Sequence, residues 1–300
     1  MIEKKNIAAS VHQRLYNHAK NSGEDFNLLL TRFANERFLY RLSVSDYTDR
    51  FLLKGASLFT LWFEHPHRPT RDVDLLGFGS SEIADVERVF RTICAVEAED
   101  GLRFDAGNVK GSEIKEGQEY RGVRITLTAF LGKARINLQI DVGFGDAVTP
   151  PAETVSFPTV LDFPAPRLLA YPKETVVAEK FEAMVKLGML NSRMKDFWDL
   201  QILTGEFDFE GATLQKAIRA TFERRQTKFP EGIPLALTEE FSGDKGKQIQ
   251  WNAFLRKNKL LASSDFKDLI ALLGEFFTKI IEAENEKQPL VEHWQKGSWR

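Results

Sequence analysis

The sequence predicts an α+β fold, with a mixed sheet and helices in the first half of the chain and helices in the second. Apolar and polar residues alternate over 119–131 and 134–143, as in half-buried strands. From residue 173 onward, apolar residues recur every three or four positions, as in amphipathic helices. A stretch with six prolines, 149–173, separates these regions. We therefore predict an α/β unit over 1–150 and a mainly helical unit over 151–300.

The composition is that of a globular protein and narrows the classes of function. The 300 residues carry a formal net charge of −2, with 43% hydrophobic and 28% charged residues. This balance argues against a non-specific polyanion binder but allows a local basic patch. A single cysteine, Cys94, excludes an internal disulfide and a zinc site made of several cysteines. Without an apolar signal region or an 18-residue apolar run, we expect a cytoplasmic protein that does not cross a membrane.

Helices and short strands alternate in the first unit. Apolar spacing, or a polar N-cap ahead of an apolar run, predicts helices over 8–22, 25–43, 56–64 and about 81–96. Short alternating segments predict strands over 72–77, 103–109, 119–131 and 134–143, and the mostly apolar stretch 51–55 precedes the short helix. The last two strands are expected to form a hairpin with its turn at 131–133.

The second unit is almost entirely helical in pattern. Its predicted helices span 173–190, 194–204, 210–226, 249–257 and 264–284. The Gly-Asp-Lys-Gly-Lys stretch at 243–247 is predicted as a loop, and the proline-rich stretch 149–173 as a linker or an extended crossing segment.

Two aspartates mark the candidate site. Asp72 and Asp74 lie two positions apart on a predicted strand, so both side chains are expected on one face. Like charges this close repel, and a divalent cation such as Mg²⁺ or Mn²⁺ removes the repulsion. Asp141 lies on the polar face of the strand 134–143, where a neighbouring strand could bring it beside the pair. Asp141 is therefore either a third metal ligand or an outward-facing polar residue.

A turn of small residues lies upstream of the aspartates. In Lys54-Gly55-Ala56-Ser57, backbone N–H groups before the predicted helix favour phosphate, which makes Gly55 and Ser57 candidate nucleotide-binding residues. Such a turn, a D-x-D strand and a later aspartate form a pattern that handles a triphosphate with metal ions. The arrangement resembles that of the polymerase β-like nucleotidyltransferases.

Four motifs in order sharpen this resemblance. They are Lys-Gly-Ala-Ser-Leu at 54–58, Arg-Pro-Thr-Arg-Asp-Val-Asp-Leu at 68–75, Glu-x-x-x-Ala-Glu-Lys at 174–180 and Lys-Asp-x-x-Asp-Leu at 195–200. Together they resemble the AbiEii family of nucleotidyltransferase toxins from type IV toxin–antitoxin systems, which includes MenT-like proteins. The resemblance implies a polymerase β-like mixed sheet with helices, followed by a helical C-terminal lobe.

In the first unit, the resemblance implies a role for each matched residue. Gly55 and Ser57 match the turn that holds the triphosphate, although the turn's common second glycine is alanine here. Asp72 and Asp74 match the catalytic, metal-binding pair. Arg68 matches a nucleotide-binding position, in a loop that the segment 65–68 lengthens.

In the second unit, the resemblance implies two more catalytic residues. Lys180 matches the lysine that neutralises phosphate charge, and Asp196 matches a further essential aspartate. From the residues alone, Lys180 could also be a solvated lysine beside an apolar face, since no acid lies three or four positions away. Asp196 could instead have no role beyond complementing the helix dipole, and Asp199 could pair with Lys195.

Thr70 and a basic stretch are the remaining candidates. Thr70 lies two residues before Asp72, so its phosphorylation would place negative charge beside the metal pair and switch the site off. Basic residues gather over 216–228 and could form either a solvated face or an RNA phosphate track. The candidate RNA-binding residues are Arg219, Arg224, Arg225 and Lys228.

The resulting hypothesis is a metal-dependent nucleotidyltransferase that uses an NTP. The resemblance implies an RNA acceptor, in particular the 3′ end of tRNA, blocked translation and growth, and neutralisation by a cognate antitoxin protein. Two alternatives remain: a transferase that nucleotidylates a protein hydroxyl, and a protein that binds GTP or an antitoxin without turnover.

Overall fold

A computed structural model describes residues 6–63, 68–116, 120–261 and 265–300. The chain divides into two compact units, and the predicted α+β fold is confirmed. Unit 1 consists of Met1–Gly145 and Glu153–Ala170, and unit 2 of Asp146–Ala152 and Tyr171–Arg300. None of the helices in the described ranges is both long and apolar enough to cross a membrane.

Unit 1 contains four helices and eight strands among its described residues. The helices are α1 (Ile7–Ser22), α2 (Phe26–Ser43), α3 (Ser57–Trp62) and α4 (Ile83–Ala95). The strands are β1 (Phe51–Lys54), β2 (Val73–Gly77), β3 (Leu102–Phe104), β4 (Lys110–Glu116), β5 (Tyr120–Leu131), β6 (Ala134–Phe144), β7 (Glu153–Ser156) and β8 (Arg167–Ala170). They form one mixed sheet in the order β3-β5-β6-β2-β1-β8-β7, and β4 also pairs with β5.

The long hairpin of β5 and β6 is the part of the sheet that the sequence predicts best. Leu131 pairs with Ala134, so Gly132 and Lys133 form the turn, and Gly132 takes a φ of +59° that suits glycine. The apolar residues of both strands are buried, whereas Asn137 and Arg135 on the other face are exposed. Because β6 then pairs in parallel with β2, the hairpin fixes the position of the D-x-D strand.

Three segments differ from the sequence-based prediction. The proline-rich stretch contributes β7 and β8 to unit 1, because β8 pairs in parallel with β1. The predicted strand 103–109 ends at Phe104, and a 3₁₀ turn separates it from β4. The predicted loop at 243–247 is wrong, because the side chain of Asp244 accepts a hydrogen bond from the Lys247 amide at 2.9 Å and begins a helix.

Unit 2 is mainly helical, with a small sheet. Its helices are α5 (Lys173–Leu187), α6 (Met194–Glu206), α7 (Gly211–Arg224), α8 (Glu239–Gly243), α9 (Lys245–Asn258) and α10 (Phe266–Asn285). The sheet contains β9 (Asp208–Glu210), β10 (His293–Gln295) and β11 (Ser298–Trp299). Phe181 of α5 stacks on Phe277 of α10 with ring centroids 4.0 Å apart, and Trp294 is fully buried. This aromatic core holds α5 against α10.

Candidate active site

A row of four charged residues crosses the middle of the sheet in unit 1. Asp74 on β2 is the register partner of Lys54 on β1 and of Asp141 on β6. Asp141 is in turn the register partner of Arg124 on β5. Register partners on neighbouring strands project from the same face of a sheet. The row therefore reads Arg124, Asp141, Asp74, Lys54, with two acids between two bases.

The turn after β1 packs directly against Asp74. Gly55 has a φ of +69°, and a Cβ at this position would overlap the carboxylate of Asp74. Only glycine meets both conditions without strain. Ser57 follows at the start of α3 with 6% of its surface exposed. The two sequence-predicted elements, the small-residue turn and the D-x-D strand, thus meet at Gly55 and Asp74.

Asp72 lies exposed just before β2, at a polar cleft. The cleft has a volume of about 510 Å³. Its polar lining from β5 and β6 consists of Thr126, Thr128, Arg135, Asn137 and Gln139. The hydroxyl of Thr70 donates a hydrogen bond to the backbone carbonyl of Asp72 at 3.3 Å. Arg68 is half-buried two residues before Thr70.

Asp141 is held by a bidentate ion pair. The Nε and Nη2 atoms of Arg124 lie 2.8 and 2.7 Å from its two carboxylate oxygens. Within the described residues, no group of three His, Cys, Asp or Glu side chains is arranged to hold a metal ion. Mg²⁺ usually takes only one or two carboxylates and completes its shell with water and substrate phosphates. Asp72 and Asp74 fit that requirement, and the role of Asp141 as a ligand stays a prediction.

In unit 2, Lys180 is clamped between two aspartates of α6. Its ammonium donates hydrogen bonds to Asp196 and Asp199, both at 2.8 Å. The carboxylates are almost fully buried, and the Lys180 side chain is 14% exposed. The prediction that Asp199 pairs with Lys195 on its own helix is thus replaced by a pairing between helices. Lys180 is therefore a fixed positive charge rather than a solvated lysine.

The charge state of Asp196 follows from its neighbours. Burial alone raises the pKa of a carboxyl, but Lys180 and Arg193 outweigh that effect and lower the pKa of Asp196 to about 2. The Nε atom of Arg193 lies 2.7 Å from the second carboxylate oxygen of Asp196. Asp196 is therefore ionised at neutral pH, and its contacts suit it to position Lys180.

The four candidate RNA-binding residues lie in different surroundings. Arg219 pairs with Glu284 of α10 through two hydrogen bonds of 2.7 Å, and Lys228 pairs with Glu231 at 2.9 Å. Arg224 is exposed. Arg225 is only 17% exposed and pairs with Asp146 and with two acids of α5, Glu179 and Glu182. Its contacts are those of an internal structural residue.

Sequence reasoning missed three residues of these clusters. Lys54 enters the charge row only because β1 and β2 are antiparallel, which brings Lys54 opposite Asp74. Arg124 was treated as one polar position of an alternating strand, and its role depends on the register with Asp141. Asp199 was linked to the wrong lysine. The pairing of 51–54 with 74–77 is the sequence signal that could have revealed Lys54, since both segments are short, apolar and close along the chain.

Comparisons with known proteins point to one family. The sequence model of the family described as "Nucleotidyl transferase AbiEii toxin, Type IV TA system" matches residues 37–272, well over half of the chain. No curated protein matches the sequence. The crystal structure of JHP933 from Helicobacter pylori aligns with this chain over 85% of this chain and 96% of the JHP933 chain, with 14% sequence identity and a TM-score of 0.49. A second H. pylori structure, of a candidate nucleotidyltransferase, covers 85% and 97%, with 16% identity and a TM-score of 0.47.

Proposed function

Because this chain belongs to the AbiEii family of nucleotidyltransferase toxins of type IV toxin–antitoxin systems, we propose that it transfers a nucleotidyl group from an NTP to the 3′ end of an RNA, in particular tRNA. The enzyme is a nucleotidyltransferase by family, and the acceptor is the part that we propose. The observation that carries the proposal is the charge row at Asp74, against which the Gly55 turn packs.

The proposed reaction uses the residues of unit 1. The oxygen of the acceptor hydroxyl forms a new bond to the α-phosphorus of the NTP. The bond from that phosphorus to the oxygen bridging the α- and β-phosphates breaks, pyrophosphate leaves, and the hydroxyl proton passes to water. Asp72 and Asp74 would hold Mg²⁺ or Mn²⁺, which supplies charge neutralisation and a lower hydroxyl pKa when bound. Gly55, Ser57 and Arg68 would bind the triphosphate.

An RNA acceptor is supported by the cleft at Asp72. Hydroxyl and amide groups line it, and these can pair with base edges and ribose hydroxyls, while Arg135 and Arg71 supply positive charge for phosphate. Such a lining suits a single-stranded RNA end. Among the four candidate residues of 216–228, Arg219, Arg224 and Lys228 are exposed, as a phosphate contact requires, although Arg219 and Lys228 also pair with acids.

Lys180 and Asp196 are proposed to contribute to catalysis as the resemblance implies. A lysine held by two buried carboxylates cannot swing into solvent, so its charge is preorganised for phosphate. Asp196 would act through Lys180, as a positioning residue.

The cellular consequence that we propose is arrest of translation and growth in the cytoplasm, relieved by a cognate antitoxin protein. Phosphorylation of Thr70 is the regulation proposed for the same site. Its hydroxyl already contacts the backbone of Asp72, so a phosphate there would lie close to the metal pair.

The deciding experiment incubates the protein with each labelled NTP and with separate tRNA and protein fractions. We expect label at tRNA 3′ ends with the wild-type chain and none with Asp72→Ala. Asp162→Asn changes a fully exposed carboxylate of unit 1 and should leave transfer intact. Label in the protein fraction would favour the protein-nucleotidylating alternative. Growth inhibition that survives Asp72→Ala would favour binding without turnover.

A further inference from the structure

We propose that Arg124 blocks Asp141, so that this carboxylate, the third after Asp72 and Asp74, becomes a metal ligand only when the guanidinium is displaced. The inference rests on the proposed metal-dependent function. It concerns a residue outside all four motifs, on a strand that carries no other candidate catalytic group.

The contacts of Asp141 show what must be displaced. Both of its carboxylate oxygens accept hydrogen bonds from Arg124, at 2.8 and 2.7 Å, and Gln139 lies 3.5 Å from one of them. A guanidinium fork that covers both oxygens leaves the carboxylate little capacity to bind a cation at the same time. A metal ion and Arg124 therefore compete for Asp141.

The exposure of the pair makes the exchange feasible. The side chain of Arg124 is 42% exposed and that of Asp141 is 20% exposed. Ion pairs that reach water contribute little free energy, in contrast to buried pairs. Arg124 can thus leave without stranding a buried charge, whereas Lys180 in unit 2 is fixed by carboxylates that are 1% and 2% exposed.

The order of charges in the row gives the exchange its direction. Without a cation, Arg124 and Lys54 at the two ends balance Asp141 and Asp74 between them. A divalent cation bound at Asp74 would neutralise the acids and repel the guanidinium only 2.7–2.8 Å from Asp141. The pair therefore lowers the affinity of the site for free metal.

Metal affinity without nucleotide tests this directly. The dissociation constant of Mn²⁺ is measured by electron paramagnetic resonance for the wild-type chain, Arg124→Gln, Arg124→Lys, Asp141→Asn and the double variant Arg124→Gln/Asp141→Asn. We expect Arg124→Gln to tighten Mn²⁺ binding about threefold to tenfold, because the metal no longer has to displace one exposed bidentate ion pair. Arg124→Lys keeps the charge without the fork and should show a smaller gain. Relative to Asp141→Asn, the double variant should show no gain.

Two outcomes would overturn the proposal. One is an Arg124→Gln variant that folds, by circular dichroism, and binds Mn²⁺ no more tightly than the wild-type chain. The other is an equal gain when Arg124→Gln is added to Asp141→Asn, because that gain would arise from the loss of positive charge alone and not from release of Asp141. The affinity pattern is independent of transfer: a chain that labels no RNA but shows this pattern contradicts the proposed function and supports the role of Arg124.

Discussion

Gly55 and Asp74 lie so close together that residue 55 has no room for a side chain. The glycine has a left-handed φ of +69°, and a Cβ on it would overlap the aspartate carboxylate. This contact joins the turn after β1 to the D-x-D strand, and it makes the position of one carboxylate depend on the absence of one methyl group.

We expect Gly55→Ala to reduce transfer strongly while leaving the fold largely intact. The left-handed conformation costs a non-glycine residue about 1–2 kcal/mol, and the new methyl group must also push Asp74 out of the charge row. Labelled-NTP transfer and thermal unfolding, measured together, check this. Activity should fall by a factor on the order of a hundred, as for displacement of a positioned group by about 1 Å.

Ala56→Gly is the matched control for that variant. Ala56 has an ordinary right-handed backbone, with φ −68° and ψ −21°, so glycine there adds no side-chain atom and needs no unusual conformation. Transfer should remain close to the wild-type rate. A fully active Gly55→Ala enzyme would show that the turn does not control the aspartate.

The ion-pair cluster around Lys180 predicts a second pair of variants. Lys180→Met removes the ammonium that the buried Asp196 and Asp199 share, and Arg193 contacts only Asp196 of this pair through the ion pair described, so the free energy of unfolding at pH 7 should fall by on the order of 3 kcal/mol. Lys186→Met, on the exposed face of the same helix, is the control and should have little effect. Urea unfolding followed by circular dichroism measures both.

The pH dependence of the same cluster has a defined sign. In the wild-type chain the pKa of Asp196, about 2, lies below its ordinary value of 3.8. Its ionised form therefore stabilises the fold above about pH 4, and this contribution is lost as the pH falls toward 2. In Lys180→Met the pKa should rise, so the deficit in stability should shrink on acidification from pH 7 to pH 4. A deficit that is constant with pH would contradict this account.

Most helices and strands can be predicted from the local sequence pattern. The others form because segments distant in the sequence pair in the fold. The alternation in 119–131 and 134–143 predicts β5, β6 and their turn, because one face of each strand is buried. By contrast, 149–173 has the local signal of a linker, and β8 exists because β1 offers it an edge. The stretch 243–247 contains two glycines and has the local signal of a loop, yet the side chain of Asp244 caps a helix there.

In the candidate site, too, some residues can be predicted from local spacing and others depend on contacts with distant segments. Asp72 and Asp74 are predictable from spacing two on one strand, and the place of Asp141 beside Asp74 from alternation on another. Arg225 was not predictable as an internal residue, because Asp146, Glu179 and Glu182 reach it from other segments. A basic run in sequence says nothing about which of its members face acids.

Arg224 and Arg225 therefore make an adjacent pair with opposite expectations. Arg225→Ala removes the cation that Asp146, Glu179 and Glu182 share through ion pairs of 2.9–3.4 Å, and should destabilise the chain by on the order of 3 kcal/mol. Arg224→Ala changes an exposed side chain, so stability should hold while RNA affinity drops and the slope of its salt dependence decreases by about 1. Urea unfolding and fluorescence anisotropy with tRNA at several salt concentrations measure the two effects. Equal destabilisation by both variants would contradict the burial of Arg225.

Glu36 in α2 predicts a pH effect on the stability of unit 1. Burial raises its pKa from 4.5 to about 7, although the Val160 amide, which donates to it at 2.7 Å, and Arg37 act in the opposite direction. The folded protein thus binds this proton more tightly than the unfolded chain. Its contribution to stability is complete below about pH 4.5 and decreases, by on the order of 3 kcal/mol, as the pH rises to 7.

Glu36→Gln removes that titration and keeps an oxygen that can accept from Val160. Its stability relative to the wild-type chain should increase between pH 5 and pH 7 and level off above pH 7, as measured by urea unfolding at each pH. Glu97→Gln, at an exposed position, is the control and should show no such trend. A difference between Glu36→Gln and wild type that stays flat across this range would contradict the raised pKa.

Thr70 tests whether added negative charge next to Asp72 inactivates the enzyme. Its hydroxyl lies 3.3 Å from the Asp72 carbonyl oxygen, on the segment that leads into β2. In Thr70→Glu the carboxylate should repel the incoming triphosphate, so the KM for NTP should rise and transfer at low NTP should fall at least about tenfold. Thr70→Val removes only the weak hydroxyl contact and should remain active. Because the effect is electrostatic, the defect of Thr70→Glu should lessen as salt is raised from 50 to 500 mM, over which the Debye length shortens severalfold. A Thr70→Glu enzyme with the wild-type KM, or one whose defect matches that of Thr70→Val at every salt concentration, would rule out charge as the mechanism of control.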